Sequence, residues 1–245
     1  MGWLILFSLL GSVGALIGAA LLLAFPDTVR QRLLPCLLSY ATGTLLGAAF
    51  LGMIPKGLEK APPMAISATV LAGIVLFFLL EKLIIWRHCH EEDCEAHEHP
   101  GGKLILVGDA FHNFVDGVVI AAAFLTSVPV GIATSMAVIA HEIPQELGDF
   151  AILLHSGLSK ARALSYNLLS SLTTLPGALL GWYWLAEVRQ AIPYVLALSA
   201  ASFIYIAVAD LVPGLHRRTG AKAVAGQTLL VLAGIATIAL FRLGR

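Results

Sequence analysis

Long apolar runs occupy most of this chain, and polar residues are concentrated in short stretches between them. A helix that crosses a bilayer needs about 20 mostly apolar residues. Runs of this length predict eight helices, at 3–25, 34–55, 64–86, 103–127, 130–154, 163–187, 190–213 and 222–243. Because the connections are short, the pattern indicates an all-α, polytopic membrane bundle that forms a single transmembrane domain over residues 1–245.

The composition agrees with a membrane protein. Hydrophobic residues make up 58% of the chain and charged residues 12%, whereas soluble domains have about 45–50% and about 25%. The net charge is zero at neutral pH, so no nucleic-acid partner is expected. The first run is longer than a signal-peptide core and lacks a basic leader, which favours a retained helix. Cys36 lies in an apolar run and is expected in the core.

The distribution of basic residues predicts the orientation. With eight helices, both termini lie on the same side of the membrane. One set of loops carries nine Lys and Arg residues, and the other set, termini included, carries five. Because cytoplasmic loops are enriched in Lys and Arg, we expect the first set in the cytoplasm and both termini outside.

Acidic residues inside the predicted spans are the first indication of function. A carboxylate at the bilayer centre costs on the order of 3 kcal/mol, so it usually marks a site or an ion path. No Lys or Arg at the same depth could neutralise these groups, which favours a bound metal ion or protons. The six carboxylates are Asp109, Asp116, Glu142, Glu146, Asp149 and Asp210.

The fourth run contains a potential set of metal ligands. In "FHNFVDG", His112 and Asp116 are four residues apart and therefore share a helix face, with Asn113 beside them. The fifth run contains "HEIPQELGD", where the same spacing relates His141 to Gln145. Imidazole, amide and carboxylate groups on two neighbouring helices suit zinc and similar ions. The predicted ligands are His112, Asn113, Asp116, His141, Glu142 and Gln145.

The stretch "HEIPQELGD" also begins like the zinc-protease signature His-Glu-x-x-His. A protease of that class needs two imidazoles one turn apart on an unbroken helix, with the intervening glutamate as base. Here Gln145 replaces the second imidazole, and Pro144 is expected to break or kink the helix. The proteolytic alternative accounts for neither residue.

The paired motifs resemble a known family. "GDAFHNFVDGVVIAAAF" (108–124), followed by "HEIPQELGDFAILL" (141–154), resembles the ZIP family of divalent metal-ion transporters, in its branch with a His-Glu-x-Pro-x-Glu fifth helix. "GTLLGAAFLGMIP" (43–55) is similar to the second helix of that branch, and "ASFIYIAVADLVPGL" (201–215) to its seventh. The resemblance implies eight helices, termini outside, and metal transport toward the cytoplasm.

The resemblance also implies two adjacent metal ions. It places His112, Asp116, His141 and Gln145 around one ion, and Asn113, Asp116, Glu142 and Gln145 around the other. The chain departs from the branch at Gln145, where histidine is usual, and at Ala48 and Gly52, where Asp and His are usual. Thr174 stands near a position at which some members have a glutamate ligand.

Further residues are expected to contribute outside this ligand set. These residues lie in the predicted spans and serve either in helix-packing contacts or along an ion path. They are Asp109, Glu146, Asp149, Thr174 and Asp210. A cytoplasmic loop at 87–102 is rich in His, Cys and acidic residues, and such mixtures bind zinc-like ions, although the spacing matches no fixed zinc module. Its expected ligands are His88, Cys89, His90, Cys94, His97 and His99.

The leading hypothesis is a transporter of divalent metal ions, with zinc as the expected ion. No enzyme activity or cofactor is expected, because the metal is the substrate. The expected partners are divalent metal ions and membrane lipid, with a homodimer as a further option, and the expected location is the plasma (inner) membrane. The alternatives are a proton-coupled metal exchanger and the intramembrane zinc metalloprotease.

Overall fold

The computed structural model describes residues 1–88, 102–217 and 219–243. All regular structure in these residues is helical, which confirms the all-α prediction. The α-helices are α1 Gly2–Leu9, α2 Ala15–Ala24, α3 Asp27–Gly47, α4 Ile54–Leu58, α5 Pro63–His88, α6 Gly102–Thr126, α7 Val128–His155, α8 Lys160–Ser171, α9 Thr174–Glu187, α10 Ile192–Tyr205, α11 Val212–His216 and α12 Ala221–Leu243. π-Helical segments at Leu10–Gly14, Ala48–Met53 and Ile206–Leu211 join α1 to α2, α3 to α4 and α10 to α11.

Six helical segments of the described chain are long and apolar enough to cross a membrane. They are Gly2–Ala24, Thr28–Leu58, Pro63–Leu83, Leu106–Thr126, Arg189–His216 and Ala221–Phe241. These correspond to six of the eight predicted runs, and an integral membrane protein follows from them. The two other runs correspond to α7 and to α8 with α9.

The run 163–187 is not one continuous helix, because a turn at Leu172 and Thr173 separates α8 from α9. Around the turn, the hydroxyl oxygens of Ser171, Thr173 and Thr174 lie within hydrogen-bond distance of the backbone carbonyls of Asn167, Ser170 and Ser171. Such local bonds compete with the regular helix. The turn directs polar side chains of both helices toward α6 and α7.

Prolines act differently in different helices. Two π-helical segments end two residues before a proline, at Pro55 and at Pro213. Proline has no N–H and crowds the carbonyl four residues earlier, which accounts for the widened turn. By contrast, α7 continues through Pro144, so a break in this helix is wrong, and the kink at Pro144 stays a prediction. Pro144 removes a single donor, and α7 is supported by contacts with α2, α3, α6, α8 and α12.

The backbones of α6 and α9 approach closely at two glycines. A Cβ atom on Gly117 would collide with the carbonyl oxygen of Thr174, and one on Gly177 would collide with the carbonyl oxygen of Phe114. Glycine permits this approach because it lacks a side chain. The contact holds the first turn of α9 against the part of α6 that carries the predicted ligands.

Gly117→Ala is expected to destabilise the protein. Its new methyl group would force α6 and α9 apart, and overpacking of this kind costs about 1–3 kcal/mol. The thermal unfolding temperature in detergent should therefore fall. Gly108→Ala on the same helix is the matched control, because its Cβ would meet nothing within 4 Å. Equal unfolding temperatures for the two variants would contradict the close contact.

The outside of the bundle is apolar. Large side chains on the peripheral helices are widely exposed, among them Leu71 on α5 at 65% and Leu229 on α12 at 69%. An apolar surface of this extent is stable in contact with lipid. Cys36 on α3 also belongs to the exposed surface, so its predicted core position is wrong. Its apolar neighbours in the sequence reflect the surrounding lipid as much as the protein interior.

Candidate metal centre

The two helices that carry the predicted ligands are joined by one residue. Helix α6 ends at Thr126 and α7 begins at Val128. Ser127 between them has an extended backbone, and its hydroxyl oxygen accepts a hydrogen bond from the backbone N–H of Val130 at 3.4 Å. Because the chain reverses here, residues at equal distances from Ser127 lie side by side.

Four side chains from α6 and α7 converge about 11 to 15 residues from Ser127 along each helix. Nε2 of His112 lies 3.2 Å from Nε2 of His141, 3.3 Å from Oε1 of Glu142 and 3.9 Å from Oδ2 of Asp116. Nε2 of His141 lies 3.2 Å from the same Asp116 oxygen and 3.6 Å from the same Glu142 oxygen. Zinc bonds of 2.0–2.1 Å in a tetrahedron separate the ligand atoms by about 3.3 Å. The spacing of this four-ligand cluster (His112, Asp116, His141 and Glu142) therefore suits a tetrahedral zinc ion.

Burial makes a cation in this cluster favourable. Asp116 and His141 are 1% exposed and Glu142 is fully buried. No oxygen of Asp116 or Glu142 has a hydrogen-bond partner among the described residues. A buried carboxylate without a partner is costly, and a divalent ion between the two would satisfy both.

The backbone selects the tautomer of His141. Its Nδ1 lies 2.9 Å from the carbonyl oxygen of Ala137. Because a carbonyl oxygen only accepts hydrogen bonds, the proton is on Nδ1, and the lone pair of Nε2 faces the other three ligand atoms. The ring of Phe203 packs edge-on against this imidazole at a centroid distance of 5.8 Å. His141 is therefore oriented as a metal ligand by the folded chain itself.

A second group of carboxylates lies next to the first. Ligand atoms of Asp109, Glu142 and Glu146 are all within 4.8 Å of one another, and all three residues are buried. The hydroxyl of Ser171 on α8 donates to Oε1 of Glu146, and Nδ2 of Asn167 donates to its backbone carbonyl at 3.2 Å. Glu142 belongs to both groups and connects them.

Asn113 and Thr174 lie beside this second group. Nδ2 of Asn113 donates to Oδ1 of Asp109 at 2.9 Å, and its Oδ1 accepts from the hydroxyl of Thr174 at 2.9 Å. The amide therefore holds Asp109 in place and joins α6 to the start of α9. Gln145 is half-buried one turn after His141 on α7. The described contacts bring Glu142 among the ligand atoms of the four-ligand cluster.

A cavity of about 540 Å³ reaches the four-ligand cluster at His112, whose side chain is 20% exposed. Asp210 and Glu81 line this cavity, and the hydroxyl of Tyr205 bonds to the Glu81 carboxylate. At the opposite end of the bundle, a separate hollow of about 190 Å³ contains Gly52. The cluster is thus open toward one end of the bundle.

The remaining candidates lie elsewhere. Asp149 is half-buried one turn beyond Glu146 and belongs to neither ligand group. Ala48 is buried in the apolar core. The loop ligands Cys89, His90, Cys94, His97 and His99 lie outside the described residues, as does the side chain of His88.

Three polar residues were not among the predicted site residues. Glu81 is an acidic residue near the end of the third run, and the cost of a carboxylate at membrane depth was a usable signal for it. Asn167 and Ser171 are four residues apart and therefore share a helix face, but serine and asparagine are common in helix contacts between membrane spans. Their approach to Glu146 depends on the packing of α8 against α7.

The comparison with protein families shows to which family the chain belongs. The family model described as ZIP zinc transporter matches residues 87–242, which include all four ligands of the cluster. The chain belongs to the ZIP family.

Curated zinc transporters also match the chain. Zinc transporter ZIP13 of Pongo abelii is 33% identical over an alignment of 224 residues, with 84% of this chain and 66% of the relative covered. Zinc transporter ZIP4 of Homo sapiens is 45% identical over 257 residues, with 76% of this chain and 39% of the relative covered. For zinc transporter ZIP10 of Danio rerio, the identity is 42% over 110 residues, which are 45% of this chain and 13% of the relative. The chain therefore spans less than two thirds of the length of these relatives.

Proposed function

We propose that this ZIP-family protein carries a divalent metal ion, zinc above all, across the membrane into the cytoplasm. The observation that supports it most is the four-ligand cluster, with the spacing of a tetrahedral zinc site inside an apolar bundle. Two imidazoles and two carboxylates suit zinc and its borderline neighbours. The related proteins are named zinc transporters, and the "HEIPQE" sequence supports the branch with a His-Glu-x-Pro-x-Glu fifth helix.

The proposed topology has eight spans with both termini outside. Helix α7 supplies the fifth span and α8 with α9 supplies the sixth, in addition to the six apolar segments. Both of these spans contribute polar groups to the site, and a helix surrounded by protein need not be apolar on every face. The excess of basic residues in one set of loops supports the orientation, and the plasma membrane is the proposed location.

In this orientation the cavity at His112 opens toward the cytoplasm. Its lining comes from the end of α5, the beginning of α6 and the end of the α10 segment, which are the cytoplasmic ends of these helices. Toward the outside, Ala137 and Ala133 lie one and two turns from His141 and are packed in the apolar core with Met53. An ion in the cluster would leave past His112, with Asp210 and Glu81 as polar groups along the way.

The geometry disfavours proteolysis. A zinc protease of the His-Glu-x-x-His class keeps its glutamate away from the metal, as a base for water. Here Oε1 of Glu142 lies 3.3 Å from Nε2 of His112 and 3.6 Å from Nε2 of His141, so it is placed as a ligand of the proposed ion. With Asp116 the cluster offers four protein ligands, whereas a catalytic zinc ion has three and binds water at the fourth position.

Reconstitution into liposomes tests the function. The purified chain should accelerate zinc entry into vesicles that contain a fluorescent zinc indicator, and protein-free vesicles are the control. Competing ions added outside rank the selectivity. A proton-coupled exchanger would instead need an imposed pH gradient for zinc flux. Zinc entry no faster than in protein-free vesicles, with and without that gradient, would contradict transport.

Gln145→His is expected to tighten zinc binding and slow release. Gln145 lies on the same face of α7 as His141 and offers a neutral amide, and imidazole is the stronger zinc ligand. The affinity should rise by about tenfold and turnover should fall, since tighter binding slows dissociation. Calorimetry on the purified variant and flux in liposomes measure the two effects. An unchanged affinity would mean that Gln145 does not face the ion.

Further partners belong to the same proposal. Membrane lipid covers the apolar surface, and a homodimer is tested by the mass of the purified particle in detergent. The loop at 87–102 would bind metal weakly near the cytoplasmic opening. No cofactor is proposed, because the metal is the cargo.

A further inference from the structure

Asp109, Glu142 and Glu146 present an arrangement that the four-ligand cluster does not explain. Their exposed fractions are 4%, 0% and 0%, and none of the described Lys and Arg side chains forms an ion pair with them. Ligand atoms of the three lie within 4.8 Å of one another. Three carboxylates at this distance repel one another strongly unless a cation lies between them.

The carboxylates of Asp109 and Glu146 each accept a hydrogen bond from a neighbouring side chain through one of their two oxygens. Asn113 donates to Oδ1 of Asp109, and Ser171 donates to Oε1 of Glu146. The other oxygens, Oδ2 of Asp109 and Oε2 of Glu146, are buried without a hydrogen-bond partner among the described residues, as is Oε2 of Glu142. Oε1 of Glu142 faces the two imidazoles of the four-ligand cluster. Donors that fix one oxygen and leave the second free are typical of the groups behind metal ligands.

The position of this group follows from the antiparallel helices. Asp109 precedes His112 by three residues on α6, and Glu146 follows Glu142 by four residues on α7. Both steps lead away from Ser127 by about one helical turn. The second group therefore lies next to the first, toward the helix ends that flank residues 89–101.

Charge balance agrees with two ions. The acidic residues that are buried in the described chain are Asp109, Asp116, Glu142 and Glu146. Their four negative charges match two divalent cations, whereas a single ion would leave two carboxylates uncompensated. Oxygen ligands within 4.8 Å fit an ion with bonds of about 2.0–2.6 Å, the range of magnesium, manganese-like and calcium ions.

We propose that Asp109, Glu142 and Glu146 form a second divalent-cation site with oxygen ligands, which accepts the ion from the four-ligand cluster through the shared Glu142. As a step in ion release, this site rests on the proposed transport function. It differs from the second site implied by the family resemblance, in which Asn113 and Gln145 are ligands. Here Asn113 is a positioning residue that acts through Asp109.

Metal binding to the chain of residues 1–245 in detergent tests the site. After chelator treatment, zinc is counted by equilibrium dialysis, and Mn²⁺ binding is followed by electron paramagnetic resonance. The wild-type chain should bind two ions. Glu146→Gln should bind one, with Mn²⁺ affinity at least about 100-fold lower and zinc affinity of the remaining site within about threefold, since Glu146 is outside the four-ligand cluster.

Three variants complete the test. Asp116→Ala should show the reverse pattern, with zinc binding to the cluster lost and Mn²⁺ retained. Ser171→Ala removes only the donor to Glu146 and should weaken Mn²⁺ by about tenfold, so it serves if Glu146→Gln does not fold. Glu187→Gln removes an exposed carboxylate at the end of α9 and should bind both ions normally.

The outcomes separate the two proposals. One ion per wild-type chain, with Mn²⁺ binding insensitive to Glu146→Gln and Ser171→Ala, would overturn the second site and leave the zinc site standing; the carboxylates would then carry protons. Binding of no ion by the wild-type chain would overturn both. Reciprocal loss of zinc in Asp116→Ala and of Mn²⁺ in Glu146→Gln would establish two sites.

Discussion

Asp116→Ala should abolish zinc uptake while the protein still reaches the membrane. Oδ2 of Asp116 lies 3.2 Å from Nε2 of His141 and 3.9 Å from Nε2 of His112, and the residue is 1% exposed. Alanine would leave a three-ligand site of lower charge beside the cavity that reaches His112. Loss of a carboxylate that supports a ligand costs 10–100-fold in affinity, so loss of a direct ligand should cost at least about 100-fold.

The measurement is zinc flux in liposomes beside zinc affinity in detergent. Glu187→Gln is the matched control, because it removes an exposed carboxylate far along α9 from the site. Elution as a single folded particle shows that the variant is intact. Near-normal uptake by folded Asp116→Ala would rule out the four-ligand cluster as the transport site.

Zinc affinity should fall by at least about tenfold between pH 7.5 and pH 5.5, the range in which histidine side chains commonly titrate. Zinc needs the free lone pairs of His112 and His141 and the charged forms of Asp116 and Glu142, so its binding releases any protons they carry. A higher proton concentration competes for the same atoms. The sign is therefore a loss of affinity as the pH falls.

Two variants assign this pH dependence to the site. His141→Ala and Glu142→Ala should bind zinc more weakly and with a shallower dependence on pH, since each removes a group at which protons compete. An affinity of the wild-type chain that is flat from pH 7.5 to 5.5 would contradict these ligands. A dependence that persists undiminished in both variants would assign it to the histidine-rich loop at 87–102.

The sequence predicted the site best where two ligands lie on the same helix, because helical geometry then sets their spacing. His112 and Asp116 share a face of α6 because four residues make about one turn, and this holds in any fold that keeps the helix. The apolar runs likewise predicted the positions of six spans, because the bilayer imposes a length on each helix. A break at Pro144 was wrong because the effect of one missing donor depends on what surrounds the helix.

Local features could therefore be inferred from the residues alone: the helices, the faces that carry imidazole and carboxylate groups, and the absence of a charge to neutralise them at the same depth. Which groups meet is set by the tertiary structure. It brings Glu142 to the ligand atoms of His112 and His141, turns Asn113 toward Asp109 and Thr174, and places Ser171 on Glu146. These contacts join residues on different helices, and they depend on the one-residue connection at Ser127, the turn between α8 and α9, and the close approach of α6 and α9 at Gly117. Distances of this kind are a property of packing, and helical periodicity contains no information about them.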